Sequence, residues 1–464
     1  MCCICNAGEF GCFDTSIEGE LNTASPNSAS RGEYFYTPTG DQNIDGLIWG
    51  TRWNDTNITY RFPTLESQIS PGYETEAESI VGFNNAWKVA AREIFDNYEE
   101  VSNLVFSEVS ASSDSNLTLA RTNDTSISTA YGVYPYGGGE SSQWYRNSNY
   151  DTTPEKGTYT WHTIIHETGH TLGLSHGHEA RSTGFFPAQA MEYDRDSMEF
   201  SVMTYRPYIG SSEGGGYTNE RYGYAQSLMM YDIAAIQELY SANYDHNSED
   251  TRYTFSTTTG EMFVNGVGQG APGANRIFLT IWDGGGNDTY DFSNYSTNLD
   301  VDLSPGYWST LSDGQIAYLG HGNDARANVF NALLHDNDTR SLIENAIGGS
   351  GNDKLVGNQG NNRLEGGAGN DELVGYDGDD VLVGGDGADL MNGGAGDDWI
   401  SYTEYSDVNL SSIIDLRTGT GTGGIAEGDQ YRNIENVNGS VGKEEMRGSD
   451  FANVLNGRQG DDVL

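Results

Sequence analysis

Cysteine is nearly absent from this chain. Cys2, Cys3, Cys5 and Cys12 all fall within the first dozen of 464 residues, so no disulfide framework holds the fold. Basic residues are scarce as well: 23 Lys and Arg stand against 68 Asp and Glu, for a formal charge of −45. Nucleic acid and anionic membranes would repel such a chain, so neither is expected as a partner. No apolar run approaches the roughly 18 residues that a membrane span needs. The N-terminus lacks the basic start and apolar core of a Sec signal peptide, so export would need another route. Residues 1–30 show little apolar periodicity and are rich in Ser, Asn and Gly, which reads as a flexible, removable or propeptide-like leader. What is plentiful is carboxylate and glycine, 61 of the latter, a pairing that suggests bound cations. The length suggests two or three domains.

The most informative stretch is His166-Glu167-Thr168-Gly169-His170-Thr171-Leu172-Gly173-Leu174-Ser175-His176, which reads H-E-x-x-H-x-x-G-x-x-H. On a helix, residues four apart share a face, so His166 and His170 can present two imidazoles to one metal ion. Glu167 stands beside the first ligand, where its carboxylate can take a proton from metal-bound water. Gly173 lets the helix stop with φ > 0 and brings His176 round as the third ligand. Three protein ligands leave a fourth position for water, the arrangement of a catalytic rather than a structural zinc. His162, one turn before His166, is expected in a supporting or surface role, and His178 is a weaker rival to His176. A cysteine thiolate could cap such a zinc, or the cysteine cluster could bind a metal, but no recognisable motif supports either.

In Ser201-Val202-Met203-Thr204-Tyr205, Met203 lies 27 residues after His176. Together the two motifs resemble the metzincin metalloproteases, whose Met-turn lies beneath the zinc. The tyrosine two residues after the methionine resembles the serralysin and astacin branches. That resemblance implies that Met203 floors the site and that Tyr205 is an extra zinc ligand able to swing away and stabilise the transition state. Serralysins usually carry proline after the third histidine, whereas this chain has Gly177. The segments Thr39–Leu47 and Asp232–Tyr240 are also similar to serralysin segments, the latter a helix closing the catalytic domain near residue 245.

Between these landmarks, Ile58–Phe62, Leu104–Phe106 and Leu117–Leu119 read as strands. Glu74–Tyr98 reads as a helix with an apolar stripe of Ile80, Phe83, Trp87, Ala90, Ala91 and Ile94. Ala130–Tyr136 reads as a strand running into Gly137-Gly138-Gly139. In metzincins the strand at this place borders the cleft and pairs with extended peptide, which favours protein substrates. The zinc helix is expected from Trp161 to Leu172.

Beyond residue 340 the chain repeats every nine residues, six times from Gly348 to Ser401. Positions one and four are always glycine, position six is Asp353, Asn362, Asp371, Asp380, Asp389 and Asp398, and position eight is apolar. This is the RTX nonapeptide repeat, turns and short strands with Ca²⁺ between them. Glycines allow turns that expose carbonyls, and each aspartate adds a hard anionic oxygen. The expected ligand positions include Gly349, Gly351, Asp353, Gly366, Gly367, Gly369, Asp371, Asp380, Gly385, Gly387, Asp389 and Asp398. Asn362 and Tyr376 depart from the pattern, and Asn362, lacking a charge, should weaken its site. Segments similar to serralysin calcium sites add Asp250, Asp283, Gly285, Gly286, Asp288 and Glu344. A degraded run over 439–464 ends inside a repeat, as a fragment would, and the C-terminal type I secretion signal that RTX proteins generally carry is not visible.

The expected architecture is therefore α+β: a leader (1–30), a metzincin zinc protease domain (31–245) and a calcium-binding parallel β-roll (246–464). The expected function is a secreted, monomeric zinc endopeptidase with structural Ca²⁺, acting on proteins or peptides and exported by a type I apparatus. Its rivals are a calcium-dependent adhesion module with a vestigial protease domain and a zinc hydrolase acting on other substrates.

Overall fold

The computed structural model describes residues 32–34, 37–135, 139–180, 189–405 and 411–464. Residues 1–30 with the four cysteines, where a leader is expected, and Tyr136, Gly137 and Gly138 lie outside the described residues. The chain is mostly sheet with few helices. It divides into two compact units: residues up to Asn243 with Tyr318–Asp324, and Tyr244–Ala317 with Ala325–Leu464.

The first unit is built on a mixed sheet. Its strands are β1 (Asn57–Arg61), β2 (Val105–Glu108), β3 (Leu117–Thr122), β4 (Ala130–Gly132) and β5 (Ser141–Arg146), in the order β2-β1-β3-β5-β4. β1, β2, β3 and β5 run parallel, while β4 pairs antiparallel with β5 at one edge. Every residue of β3 is buried, as expected of a strand covered on both faces.

Helix α1 (Asn85–Val101) packs the unit with Trp87, Ala90, Ala91, Ile94, Phe95 and Tyr98. The single helix expected over Glu74–Tyr98 is broken. A short helix, Glu74–Glu78, ends at Ser79; Ile80 and Val81 then pair with Thr122 and Arg121 of β3, and Asn84 caps a new helix by accepting the Trp87 N–H. Phe83 is buried although it lies outside the helix, so the apolar period runs across the break because both pieces serve one core. Helix α2 (Tyr159–Leu172) begins two residues before Trp161, at the Thr158 cap, and α3 spans Met230–Tyr240.

In the second unit each repeat strand pairs with the strand two repeats later, so successive repeats alternate between two parallel ladders. One ladder includes Lys354–Val356, Glu372–Asp377 and Leu390–Ala395, and the other Asn345–Ile347, Arg363–Ala368, Val381–Asp386 and Trp399–Ser401. The position-eight residues Leu355, Leu364, Leu373, Leu382, Met391 and Ile400 are all within 1% of full burial and form one shared core.

Candidate metal centres

Helix α2 ends where Gly173 adopts φ 108°, and a Cβ there would lie 2.2 Å from the Thr51 carbonyl oxygen. Only glycine fits this reversal, and the reversal brings His176 back to the helix. His176 Nε2 then lies 3.2 Å from His166 Nε2 and 3.0 Å from His170 Nε2. Ligand nitrogens about 2.0–2.1 Å from a tetrahedral zinc would be about 3.3 Å apart, close to this spacing.

The opposite ring nitrogens settle the tautomers. His166 Nδ1 donates to Val202 O at 2.8 Å, His170 Nδ1 to Leu174 O at 2.8 Å, and His176 Nδ1 to Glu179 Oε2 at 3.1 Å. Three Nε2 lone pairs therefore converge, an arrangement that repels itself unless a cation lies between them. Burial pushes His166 down to about 4 and His170 well below the usual histidine range, so the rings are neutral, as ligands must be.

Met203 is fully buried, and its sulfur packs on Gly169, where a Cβ would come within 2.6 Å. The turn around it is held by Asp232 of α3. This carboxylate accepts from Ser201 Oγ at 2.6 Å, Val202 N at 2.7 Å and Met229 N at 3.0 Å. Val202 in turn offers its carbonyl to His166, so Asp232 holds the residue whose carbonyl orients a candidate ligand. Asp232 is fully buried, and that burial raises it to about 7.

The Tyr205 ring lies 4.5 Å from the ring of His176 and 5.9 Å from that of His166. His166, Glu167, Tyr205, His162, Tyr217 and Thr129 line one cleft. Thr129 directly precedes the edge strand β4, and Gly132 of β4 lies against the Glu167 carbonyl. His162 is not at the surface: it is buried, with Nε2 3.2 Å from the Tyr217 hydroxyl. His178 packs its ring 4.8 Å from that of Tyr205, and the ligand atoms of His176, His178 and Glu179 form a second close group.

The carboxylates of the second unit also gather. Asp250 Oδ1 accepts from Asn287 N, Asp283 Oδ1 from Gly285 N, Asp288 Oδ1 from Thr251 N and Glu344 Oε2 from Asp288 N, at 2.7–3.0 Å. Gly286 closes against Asp288, whose Oδ1 would lie 2.6 Å from a Cβ there. Burial, with repulsion from neighbouring carboxylates, raises Asp288 to about 8 and Glu344 to about 7, and burial raises Asp283 to about 6.

From Asp371 to Asp398 each position-six carboxylate accepts the backbone N–H of the position-six residue two repeats earlier. Asp353 N donates to Asp371 Oδ1, Asp371 N to Asp389 Oδ1 and Asp380 N to Asp398 Oδ1. The Oδ2 atoms of Asp371, Asp380, Asp389 and Asp398 are buried and accept no hydrogen bond among the described residues. Gly366 lies against Asp371, and Gly367, Gly369, Gly385 and Gly387 lie over the carbonyls of Gly349, Gly351, Gly367 and Gly369, too close for any Cβ. Orphaned anionic oxygens stacked among carbonyls fit divalent cations with oxygen ligands. Tyr376, at a position two otherwise mostly glycine, takes φ 83° and an exposed ring, so the turn survives its substitution.

Glu179 and Asp232 are the supporting residues that the sequence did not reveal. Neither belongs to a spaced motif; the one available signal was an acid, Asp232, in the apolar run Met229–Ile236.

Two family models match the chain, both C-terminal to the histidine cluster: Peptidase M10 serralysin C terminal over residues 242–444, and the RTX calcium-binding nonapeptide repeat over residues 438–464. Metalloprotease AprA of Pseudomonas entomophila (strain L48) is 33% identical over 319 residues, 67% of this chain and 61% of that protein. Serralysin B of Dickeya chrysanthemi is 34% identical over 323 residues, 66% and 61%. Serralysin of Proteus mirabilis is 32% identical over 318 residues, 64% and 58%. The match thus spans about three fifths of each relative's length. This kinship implies zinc and calcium as the metals. The chain is serralysin-like, with a serralysin C-terminal M10 domain and RTX calcium-binding nonapeptide repeats.

Proposed function

We propose that the chain is a secreted zinc metalloendopeptidase whose calcium-binding repeats form a parallel β-roll. The observation that carries this reading is the convergence of the Nε2 atoms of three imidazoles, each anchored through Nδ1, with His166 and Glu167 lining a cleft. His166, His170 and His176 would hold the zinc, with Tyr205 as an additional ligand and Met203 beneath. Zinc, when bound, supplies Lewis acidity to the scissile carbonyl and lowers the pKa of water toward about 7. Glu167 takes the proton from the attacking water and passes it to the leaving amine. The Tyr205 hydroxyl donates to the developing oxyanion. The edge strand β4 pairs with the backbone of an extended protein substrate, holding its peptide bond across the cleft.

In this reading residues 31–245 are the protease domain, 246–464 the calcium-binding domain and 1–30 a leader. Asp250, Asp283, Gly285, Gly286, Asp288 and Glu344 hold calcium together with the repeat positions, the protein acts as a monomer, and it leaves the cell through a type I apparatus. The test is digestion of casein with and without a zinc chelator, alongside Glu167→Ala. General-base catalysis contributes about 10²–10⁴-fold, so the variant should lose at least that much activity while keeping its zinc. Chelator-resistant digestion, or a variant that retains most of its activity, would refute the mechanism. A protein that folds with calcium and never cleaves casein would instead favour the adhesion module.

A further inference from the structure

The repeats contain more than one kind of turn; in that over 348–353 both carboxylate oxygens of Asp353 already accept backbone N–H groups, from Leu299 and Gly349. In the turns bearing Asp371, Asp380, Asp389 and Asp398, position two is Gly367, Tyr376, Gly385 or Gly394, with φ of 83–121°, and the Asp Oδ2 is left without a hydrogen bond. The turn over residues 357–362 differs at both positions, with Asn358 at position two and Asn362 at position six, both 2% exposed. Asn358 is not among the residues with positive φ, and its N–H points inward to Asn362 Oδ1 at 2.7 Å.

Where those four turns leave a carboxylate oxygen unpaired, this turn places N–H donors. Asn362 Nδ2 donates to Glu344 O at 2.9 Å and Asn358 Oδ1 at 3.2 Å. Asn358 Nδ2 donates to Ile343 O at 2.8 Å and Leu303 O at 3.2 Å, and Asn358 Oδ1 also accepts from Gly360 N at 2.9 Å. An amide NH₂ is a double donor with no lone pair for a cation. The carbonyls it reaches already have partners. Yet Asn362 N still donates to Asp380 Oδ1 at 2.7 Å, so the turn remains a rung of the carboxylate column.

The pattern recurs in the degraded run. Asn453 Nδ2 donates to Glu435 O at 2.8 Å and Ser449 Oγ at 3.0 Å, while Phe451 N reaches Ser449 Oγ at 3.3 Å, as Gly360 N reaches Asn358. Ser449, like Asn358, is not among the positive-φ residues.

We propose that the turns over 357–362 and 448–453 are closed by side-chain amides in place of calcium. Between them lie the four turns with an unpaired Asp Oδ2 and the turn over 439–444, where Glu444 Oε2 is likewise unpaired among the described residues. The first turn ties the repeats to Leu303, Ile343 and Glu344 before any ion arrives, giving the ladders a preformed rung from which calcium-driven folding extends toward Trp399. This inference concerns metal content alone and stands whether or not the first unit is a peptidase.

The test uses the full chain. Hydrogen exchange read by mass spectrometry in excess EGTA should show peptides from 343–364 protected and peptides from 371–400 exchanging freely. Equal, rapid exchange in both would overturn the proposal. Bound calcium counted by equilibrium dialysis with ⁴⁵Ca should be unchanged in Asn362→Ala, lower by one ion in Asp380→Ala, and higher by one in Asn358→Gly/Asn362→Asp. Loss of an ion in Asn362→Ala would show the turn to be a calcium site already. A folded double variant with no added ion would refute the exchange of amide for cation. Should the double variant not fold, exchange in the unaltered chain and the Asn362→Ala count decide alone.

Discussion

Replacing Asp232 by alanine tests whether the methionine turn is held from α3. The carboxylate is fully buried and accepts from three donors: the Ser201 hydroxyl, the Val202 N–H and the Met229 N–H. A buried donor left unpaired costs about 1–3 kcal/mol, so three would cost about 3–9 kcal/mol together. The space vacated is of the order of one water, which could satisfy two of them, leaving a loss of about 1–3 kcal/mol. Because Val202 also receives the His166 Nδ1–H, the same change should loosen a candidate zinc ligand. Zinc retention would be measured by competition with a chromophoric chelator, and stability by urea unfolding at fixed excess calcium, following the first unit through its zinc release. Asp232→Ala should lose both stability and zinc affinity. A loss below about 0.5 kcal/mol with unchanged zinc affinity would refute the reasoning, since surface substitutions cost as little.

Tyr205→Phe keeps the ring against His176 and removes only the hydroxyl, so kcat on a peptide substrate should fall with KM little changed; a raised KM at constant kcat would make Tyr205 a substrate-binding residue. Gly169→Ala would set a Cβ 2.6 Å from the Met203 sulfur and 3.2 Å from the Tyr98 hydroxyl, so it should destabilise the first unit by about 1–3 kcal/mol; a urea midpoint matching the unaltered protein would show that Met203 simply moves aside. Asp371, Asp380, Asp389 and Asp398 are raised to about 6–7 chiefly by burial, above the roughly 3.9 of an unfolded aspartate, so the fold without calcium binds protons more tightly than the unfolded chain. That stability is fully present below about pH 4 and lost as pH rises through about 6–7, so in EGTA the repeats should gain β signal by circular dichroism from pH 8 to 5. With calcium present the midpoint should instead rise as pH falls, and an EGTA signal flat across that range would contradict the buried-carboxylate picture.

The histidine cluster was legible because helical geometry converts a spacing of four into one face and Gly173 into a reversal, both local rules. The repeat core was legible because its apolar residues keep one register. The helix expected over Glu74–Tyr98 failed because apolar periodicity reports which residues meet a core, not whether the backbone between them stays helical: Ile80 and Phe83 serve the same core from outside a helix. Asp232 and Glu179 were illegible because their partners lie in other segments or on a ring nitrogen whose direction only the fold determines. Asn362 reads in sequence as a weakened aspartate. Only its bonds to Glu344 and Asn358 reveal a donor where its neighbours leave a carboxylate oxygen unpaired.

The pairing of each repeat with the one 18 residues later gives the repeats a parity. Odd repeats belong to one ladder and even repeats to the other, so the unit of length is the pair, and a lone nonapeptide works like a single-base insertion in a reading frame. Deleting one repeat would carry every later strand to the opposite ladder and join the two carboxylate columns out of phase, though each remaining repeat kept its sequence. Deleting two would only shorten the stack. The irregular stretch after Ser401 respects this frame, since Leu390 pairs with Gln430 and Trp399 with Asn436, each ladder resuming on its own side. Length variation in such a domain is therefore constrained in steps of two repeats, or in insertions that restore the side from which they depart.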